Sequence, residues 1–127
     1  MEALKTNMIL QIDHVQITIP KGAEDAGRAL YCGILGLTEL PNPESLQGRC
    51  GFGVRVGDRP LHVGTDDGFD RRTTKSHVAY LVDDLNHWRE VITTAGLSIE
   101  EQIPIPGRDR FEFRDPFGNR VELTQLI

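Results

Sequence analysis

The stretch Phe111-Glu-Phe-Arg-Asp-Pro-Phe-Gly-Asn-Arg-Val-Glu-Leu-Thr-Gln125 decides the fold, because it predicts two strands joined by a tight turn. Apolar and polar residues alternate before and after Asp115-Pro-Phe-Gly118, which is the period of a strand with one apolar face. Proline fixes φ and glycine can take a positive φ, as a turn requires. Glu122 stands near the centre of the second strand, where a charge is costly unless it is paired or bound to a metal. A partner for this carboxylate is therefore expected.

Three of the four histidines lie in strands of the same alternating kind. His14, His62 and His77 each alternate with, or are flanked by, apolar residues that would face a core. Because the side chains of a strand repeat with period two, a slip of one residue would reverse this orientation. The agreement of four strands therefore predicts that these histidines and Glu122 share the face opposite the core. His87 falls in a predicted helix and is expected to face solvent.

Composition narrows the class of protein. A chain of 127 residues with 39% hydrophobic and 26% charged residues is typical of one globular domain with a sizeable core. A net charge of −5 without a basic cluster argues against nucleic acid or an anionic membrane surface as the main partner. Residues 1–10 lack a long apolar core, so neither a signal peptide nor a membrane span is expected. Cys32 and Cys50 form no C-x-x-C pair, which predicts reduced thiols in a cytoplasmic protein.

The same order of elements occurs twice. Helices predicted over 23–35 and 84–95 end at Gly36 and Gly96, and each is followed by leucine. His14 and His62 are 48 residues apart, and His77 and Glu122 are 45 apart. We predict an α+β fold in which two tandem β-α-β-β-β units form a curved, barrel-like mixed sheet around a cavity, with the helices outside. The domain would span 9–127, with repeats at about 9–66 and 74–127 after a loose tail at 1–8.

This geometry predicts a metal site. A pseudo-twofold axis between the two units would bring His14 with His77, and His62 with Glu122, to one point. Imidazoles with a carboxylate suit a divalent transition metal such as Zn, Ni, Co, Fe(II) or Mn. Three or four protein ligands that leave a coordination position open serve catalysis. The pattern leaves open whether His62 is a ligand or a hydrogen-bonded residue of the cavity wall.

Several motifs carry a resemblance to a known family. They are Arg28-Ala-Leu-Tyr31, Leu35-Gly-Leu37, His77-Val-Ala-Tyr80 and Arg114-Asp-Pro-Phe-Gly-Asn-Arg-Val-Glu-Leu123. With the two repeated units, the chain over 9–127 resembles the glyoxalase/bleomycin-resistance/extradiol-dioxygenase superfamily, also called vicinal oxygen chelate. The resemblance implies that His14, His77 and Glu122 bind the metal, and it places His62 at the fourth position, where glyoxalase I has Glu or Gln.

The resemblance implies three chemistries on a small, oxygen-rich substrate chelated to the metal. They are an extradiol-type dioxygenase on Fe(II), a thiol transferase of the fosfomycin-resistance kind on Mn, and an isomerase, lyase or epimerase with His62 as its catalytic base. The alternative is a metal-free, bleomycin-resistance-like protein that binds a small molecule. A homodimer is expected in either case, with units that close within one chain or swap with a second chain.

The sequence does not identify the substrate. Loops 41–49, 65–75 and 102–109 would shape the cavity, and their composition does not encode a ligand. Four residues are candidates for the cavity wall and for recognition of an anionic substrate: Arg55, Arg110, Glu112 and Arg114.

Overall fold

The computed structural model describes residues 7–42 and 48–127. In chain order the elements are β1 (Val15–Ile19), α1 (Glu24–Arg28) continued by a π-helical segment (Ala29–Ile34), β2 (Thr38–Leu40), β3 (Phe52–Val56), β4 (Arg59–Thr65), a 3₁₀ turn (Arg71–Thr73), β5 (His77–Leu81), α2 (Leu85–Thr94), β6 (Glu100–Glu101), β7 (Arg108–Arg114) and β8 (Arg120–Leu126). Most of the tail predicted at 1–8 and of the loop predicted at 41–49 lies outside the described residues. No helix among the described residues is long and apolar enough to cross a membrane.

The strands form two four-stranded mixed sheets with the same topology. The first sheet has the order β1-β4-β3-β2 and the second has the order β5-β8-β7-β6. In each sheet the first and last strands of the unit pair in parallel, and the remaining pairs are antiparallel. This repeated arrangement confirms the predicted α+β fold of two tandem β-α-β-β-β units. It also leaves β1 and β5 as edge strands.

The apolar alternation of the strands forms the core. Leu61 and Val63 of β4 are buried, as are Val121 and Leu123 of β8. The helical segments contribute to the same apolar cluster through Leu30, Tyr31, Leu85 and Ile92. Because successive side chains of a strand point to opposite faces, this packing turns His62 and Glu122 to the other face of their sheets.

Element boundaries differ from the prediction at three places. His14 immediately precedes β1 instead of lying within it. The strand expected after the second helix is reduced to β6, because only Glu100 and Glu101 have partners in β7. The first helix widens into a π turn, in which the Leu35 amide donates to the Leu30 carbonyl at 2.9 Å.

Polar contacts join the two units at the end of β1. Arg71 lies in the loop predicted to be polar but is buried, and its Nε donates to the Thr18 carbonyl at 2.8 Å. The Asn119 side-chain amide, in the β7–β8 turn, donates to the same carbonyl at 2.8 Å. The Tyr31 hydroxyl donates to the buried Asp115 carboxylate at 2.7 Å. The first unit is therefore fixed to the turn that carries the Asp-Pro-Phe-Gly motif.

Candidate metal centre

His77 and Glu122 meet on neighbouring strands of the second sheet. His77 begins β5, and its Nε2 lies 3.4 Å from Oε1 of Glu122 in β8. The other ring nitrogen, Nδ1, is 3.0 Å from the Lys75 carbonyl oxygen. A carbonyl only accepts, so Nδ1 carries the proton in this contact, and the neutral imidazole then has its free lone pair on Nε2. With this hydrogen bond in place, Nε2 is the ring nitrogen that could bind a metal.

Glu112 adds a second carboxylate to the same place. It lies on β7 directly opposite Glu122, and the two residues are 4% and 6% exposed. One ligand atom each from His77, Glu112 and Glu122 lies within 4.8 Å of the others, the one such group of three among residues 7–42 and 48–127. One imidazole nitrogen with two carboxylate oxygens fits a divalent transition metal, and the oxygen content favours Mn(II) or Fe(II).

Each of the two carboxylates has its own guanidinium partner. Arg110 donates from Nη1 to Oε1 of Glu122 at 3.1 Å. Arg120 contacts Glu112 through both Nε and Nη2, and Nη2 lies 2.5 Å from Oε1. Paired in this way, two acidic groups can be nearly buried without a prohibitive desolvation cost.

The surroundings of Glu122 keep it ionised. Burial acts to raise the pKa of this carboxyl, but its hydrogen bond from the Thr124 hydroxyl and its contact with Arg110 outweigh burial and hold the pKa below its ordinary value. The hydrogen bond that Arg120 donates to Glu112 likewise raises the pKa of Arg120. These shifts keep Glu122 and Arg120 charged at neutral pH.

His14 and His62 form a separate pair on the first unit. Their rings stack with centroids 4.4 Å apart, at an interplanar angle of 27°. His14 Nδ1 is 2.8 Å from Oδ1 of the exposed Asp13. The structure thus brings the four predicted residues together as two pairs, and His14 and His62 do not belong to the 4.8 Å group of the second sheet. Their role as metal ligands, and that of His62 as a base, stays a prediction.

The sequence does not predict two residues that lie around Glu122 in the second sheet, namely Glu112 and Arg120. Together with His77, Arg110 and Glu122 they form what is called here the second-sheet cluster. Glu112 was placed on the cavity wall, and Arg120 was not singled out. The tight turn at Asp115–Gly118 could have identified Glu112, because a turn fixes the register of its hairpin. The Asp115 amide donates to the Asn119 carbonyl at 2.9 Å. Counting outward from that pair places Arg114 opposite Arg120, and Glu112 opposite Glu122.

Fold and site together define a small α+β protein with a candidate divalent-metal centre on its second sheet. The chain belongs to the Glyoxalase/Bleomycin resistance protein/Dioxygenase superfamily, whose family model matches residues 11–123. The resemblance carried by the sequence motifs is therefore confirmed.

Solved structures agree with this assignment. A glyoxalase family protein from Bacillus anthracis is 32% identical, with a TM-score of 0.88 over 97% of this chain and 100% of that chain. FosX, a fosfomycin resistance protein from Listeria monocytogenes in complex with Mn(II) and sulfate, is 16% identical with a TM-score of 0.76, over 94% and 93%. Lactoylglutathione lyase from Agrobacterium tumefaciens is 18% identical with a TM-score of 0.70, over 91% and 92%. No curated protein matches the chain.

Proposed function

We propose that the protein is a metal-dependent enzyme that acts on a small, oxygen-rich substrate chelated to a divalent metal. The observation that carries the proposal is the placement of His77 Nε2 at 3.4 Å from Glu122 Oε1, with Nδ1 engaged by a backbone carbonyl. The Mn(II) in the FosX structure supports a metal in this fold. When bound, such a metal polarises substrate oxygens as a Lewis acid.

The chain's own residues prepare this site. The Lys75 carbonyl orients His77, and Thr124 and Arg110 hold Glu122 in its ionised form. Glu112 supplies a further oxygen ligand on the same face. The proposed reaction is dioxygenase, transferase, or isomerase or lyase chemistry. We also propose a cytoplasmic location, which the free thiols of Cys32 and Cys50 support.

We further propose that His14 and His62 complete the site across a homodimer. In the single chain they form a pair of their own, apart from His77 and Glu122. Strands β1 and β5 are both sheet edges, and an edge leaves backbone donors and acceptors available to a second copy. His14 of one chain would then add an imidazole to the partner's cluster, and His62 would serve as a fourth ligand or as the base.

A metal-free small-molecule binding protein is the second candidate. A separate cavity of about 380 Å³ supports it, because the cavity is largely apolar and contains none of the candidate metal ligands. Its lining includes Leu37, Val56, Tyr80, Leu81 and Trp88. Such a pocket suits an apolar ligand that needs no metal.

Metal content separates the two candidates. We expect protein purified without chelators, or reconstituted with Mn(II), to hold near-stoichiometric metal by elemental analysis and by Mn(II) electron paramagnetic resonance. His77→Ala and Glu122→Gln should each weaken binding by about tenfold or more. His87→Ala is the matched control, because His87 is exposed on α2. Absence of metal from the reconstituted wild-type protein would leave the binding protein as the better proposal.

A further inference from the structure

We propose that the substrate is an organic anion, and that Arg120 is the residue that holds its acid group beside the metal. This inference rests on the proposed metal centre and names the class of substrate that the centre accepts. Three properties of Arg120 support this role: its charge, its position and its remaining hydrogen-bond donors.

The charge balance of the second-sheet cluster favours an anion. Two arginines pair with two glutamates, so Arg110, Glu112, Arg120 and Glu122 sum to no net charge before a metal binds. A divalent cation at His77 and the two carboxylates leaves two positive charges uncompensated. Both carboxylates are nearly buried, so this excess charge lies where solvent screens it poorly. An anionic ligand lowers this excess charge, and a neutral diol does not.

The position of Arg120 makes it the residue that the anion meets. It is the register partner of His77 across β5 and β8, and it contacts Glu112 across β8 and β7. Its side chain is 23% exposed, so the guanidinium borders both the metal ligands and solvent. Arg110 is different, because its register partner across β7 and β8 is Thr124. Its Nη atoms contact Glu122 and the Ile103 carbonyl, and its Nε is buried.

Arg120 also retains donors for a ligand. Its Nε and Nη2 contact Glu112, and Nη1 makes only a long contact of 3.4 Å with the Lys75 carbonyl. A guanidinium has five N–H donors in a planar fork, so one N–H on each Nη atom stays available. Because Glu112 already fixes the plane of this fork, little side-chain freedom is lost when a carboxylate or phosphonate binds.

Binding of small anions to the Mn(II)-loaded protein tests the proposal by isothermal titration calorimetry. The probes are glycolate, which has a carboxylate beside a hydroxyl, methylphosphonate, and ethylene glycol as the neutral counterpart of glycolate. We expect at least one anion to bind about tenfold or more tightly than ethylene glycol, as one charge-assisted pair predicts.

Variants separate Arg120 from the general charge of the protein. Arg120→Gln should lose about tenfold or more in affinity for the anion. Arg108→Gln removes the same charge from an exposed position on β7 and should change that affinity by less than about twofold. Arg120→Lys keeps a positive charge beside Glu112 but removes the planar fork of donors, so it serves if Arg120→Gln does not fold.

The outcomes distinguish this inference from the proposed function. Mn(II) affinity is measured on every variant by electron paramagnetic resonance. Equal binding of glycolate and ethylene glycol to the Mn(II)-loaded wild-type protein would overturn the inference. Wild-type anion affinity in a folded, Mn(II)-loaded variant that lacks Arg120 would also overturn it. Failure of the wild-type protein to bind Mn(II) would instead refute the metal centre itself.

Discussion

At the scale of single residues, Asp115 is the carboxylate that ties the Asp-Pro-Phe-Gly turn to the rest of the molecule. It is 4% exposed and accepts hydrogen bonds from the Tyr31 hydroxyl, the backbone amides of Phe117 and Asn119, and the Asn119 side chain, at 2.7 to 3.0 Å. These neutral donors satisfy the buried carboxylate. The turn therefore owes its conformation to one side chain as well as to proline and glycine.

Removal of this carboxylate should cost more than removal of one of its donors. Tyr31→Phe deletes a single hydrogen bond and should lower the free energy of unfolding by about 1–3 kcal/mol. Asp115→Ala leaves several buried donors without a partner and should lower it by about 3 kcal/mol or more. Urea denaturation followed by circular dichroism measures both. Equal effects of the two substitutions would contradict the assigned hydrogen-bond pattern.

The same tyrosine predicts a loss of stability in alkali. Burial, and next the nearby Asp115 charge, raise the pKa of Tyr31 well above its usual 10.0. The unfolded chain then releases the phenol proton at a lower pH than the folded protein does. The stabilisation is therefore complete below about pH 10 and falls as pH rises above that value.

Comparison with Tyr31→Phe isolates the part of this alkaline loss of stability that Tyr31 causes. Between pH 10 and 11, the free energy of unfolding of the wild-type protein should fall by about 1 kcal/mol more than that of Tyr31→Phe. Denaturation curves at several pH values measure the two slopes. Parallel slopes would show that Tyr31 ionises normally in the folded protein.

At the scale of elements, the contact of α1 with the first sheet depends on a glycine. A Cβ atom built on Gly27 would lie 3.0 Å from Cδ1 of Ile19 and 3.1 Å from Cε1 of Phe52. Both neighbours are buried in the core, so neither can move without displacing others. Close packing of the helix on β1 and β3 therefore requires the absence of a side chain at this position.

Substitution of two helical glycines tests this contact. Gly27→Ala should lower the free energy of unfolding by about 1–3 kcal/mol, because it overpacks the core. Gly33→Ala is the control, since its Cβ would meet nothing closer than 3.9 Å, and it should be neutral or stabilising by up to about 1 kcal/mol. Thermal denaturation distinguishes them. A Gly27→Ala protein as stable as Gly33→Ala would show that the helix can shift away from the sheet.

The elements also show which parts of the structure the sequence predicts. The β7–β8 hairpin was predictable because alternation and turn chemistry agree within one continuous stretch. The short β6 and the π turn before Leu35 were not predictable. β6 is defined by its pairing with β7, and the π turn is defined by the hydrogen bond from Leu35 to Leu30. For the site, alternation predicted that Glu122 needs a partner. It did not identify Arg110, Thr124 and the Lys75 carbonyl, which depend on side-chain reach across strands.

At the scale of the whole molecule, the duplicated fold divides the predicted site residues between two sheets. The first unit holds the stacked His14 and His62, and the second holds His77 with its carboxylates. A site that needs residues from both pairs requires either closure of the two units on each other or a second copy of the chain. The proposed homodimer meets this requirement by joining His14 of one chain to Glu122 of the other.

Heterodimers of two defective chains distinguish shared sites from sites within one chain. His14→Ala and Glu122→Gln should each weaken metal binding, since each removes one ligand from every site. If each site uses His14 of one chain and Glu122 of the other, a heterodimer of the two variants has both substitutions in one site. Its other site then has all of its ligands. Co-expression with two different affinity tags and sequential purification isolates that heterodimer, which should hold about half of the wild-type metal content. Sites within one chain would give no recovery above the single variants, and failure of the two tagged chains to co-purify would refute the homodimer.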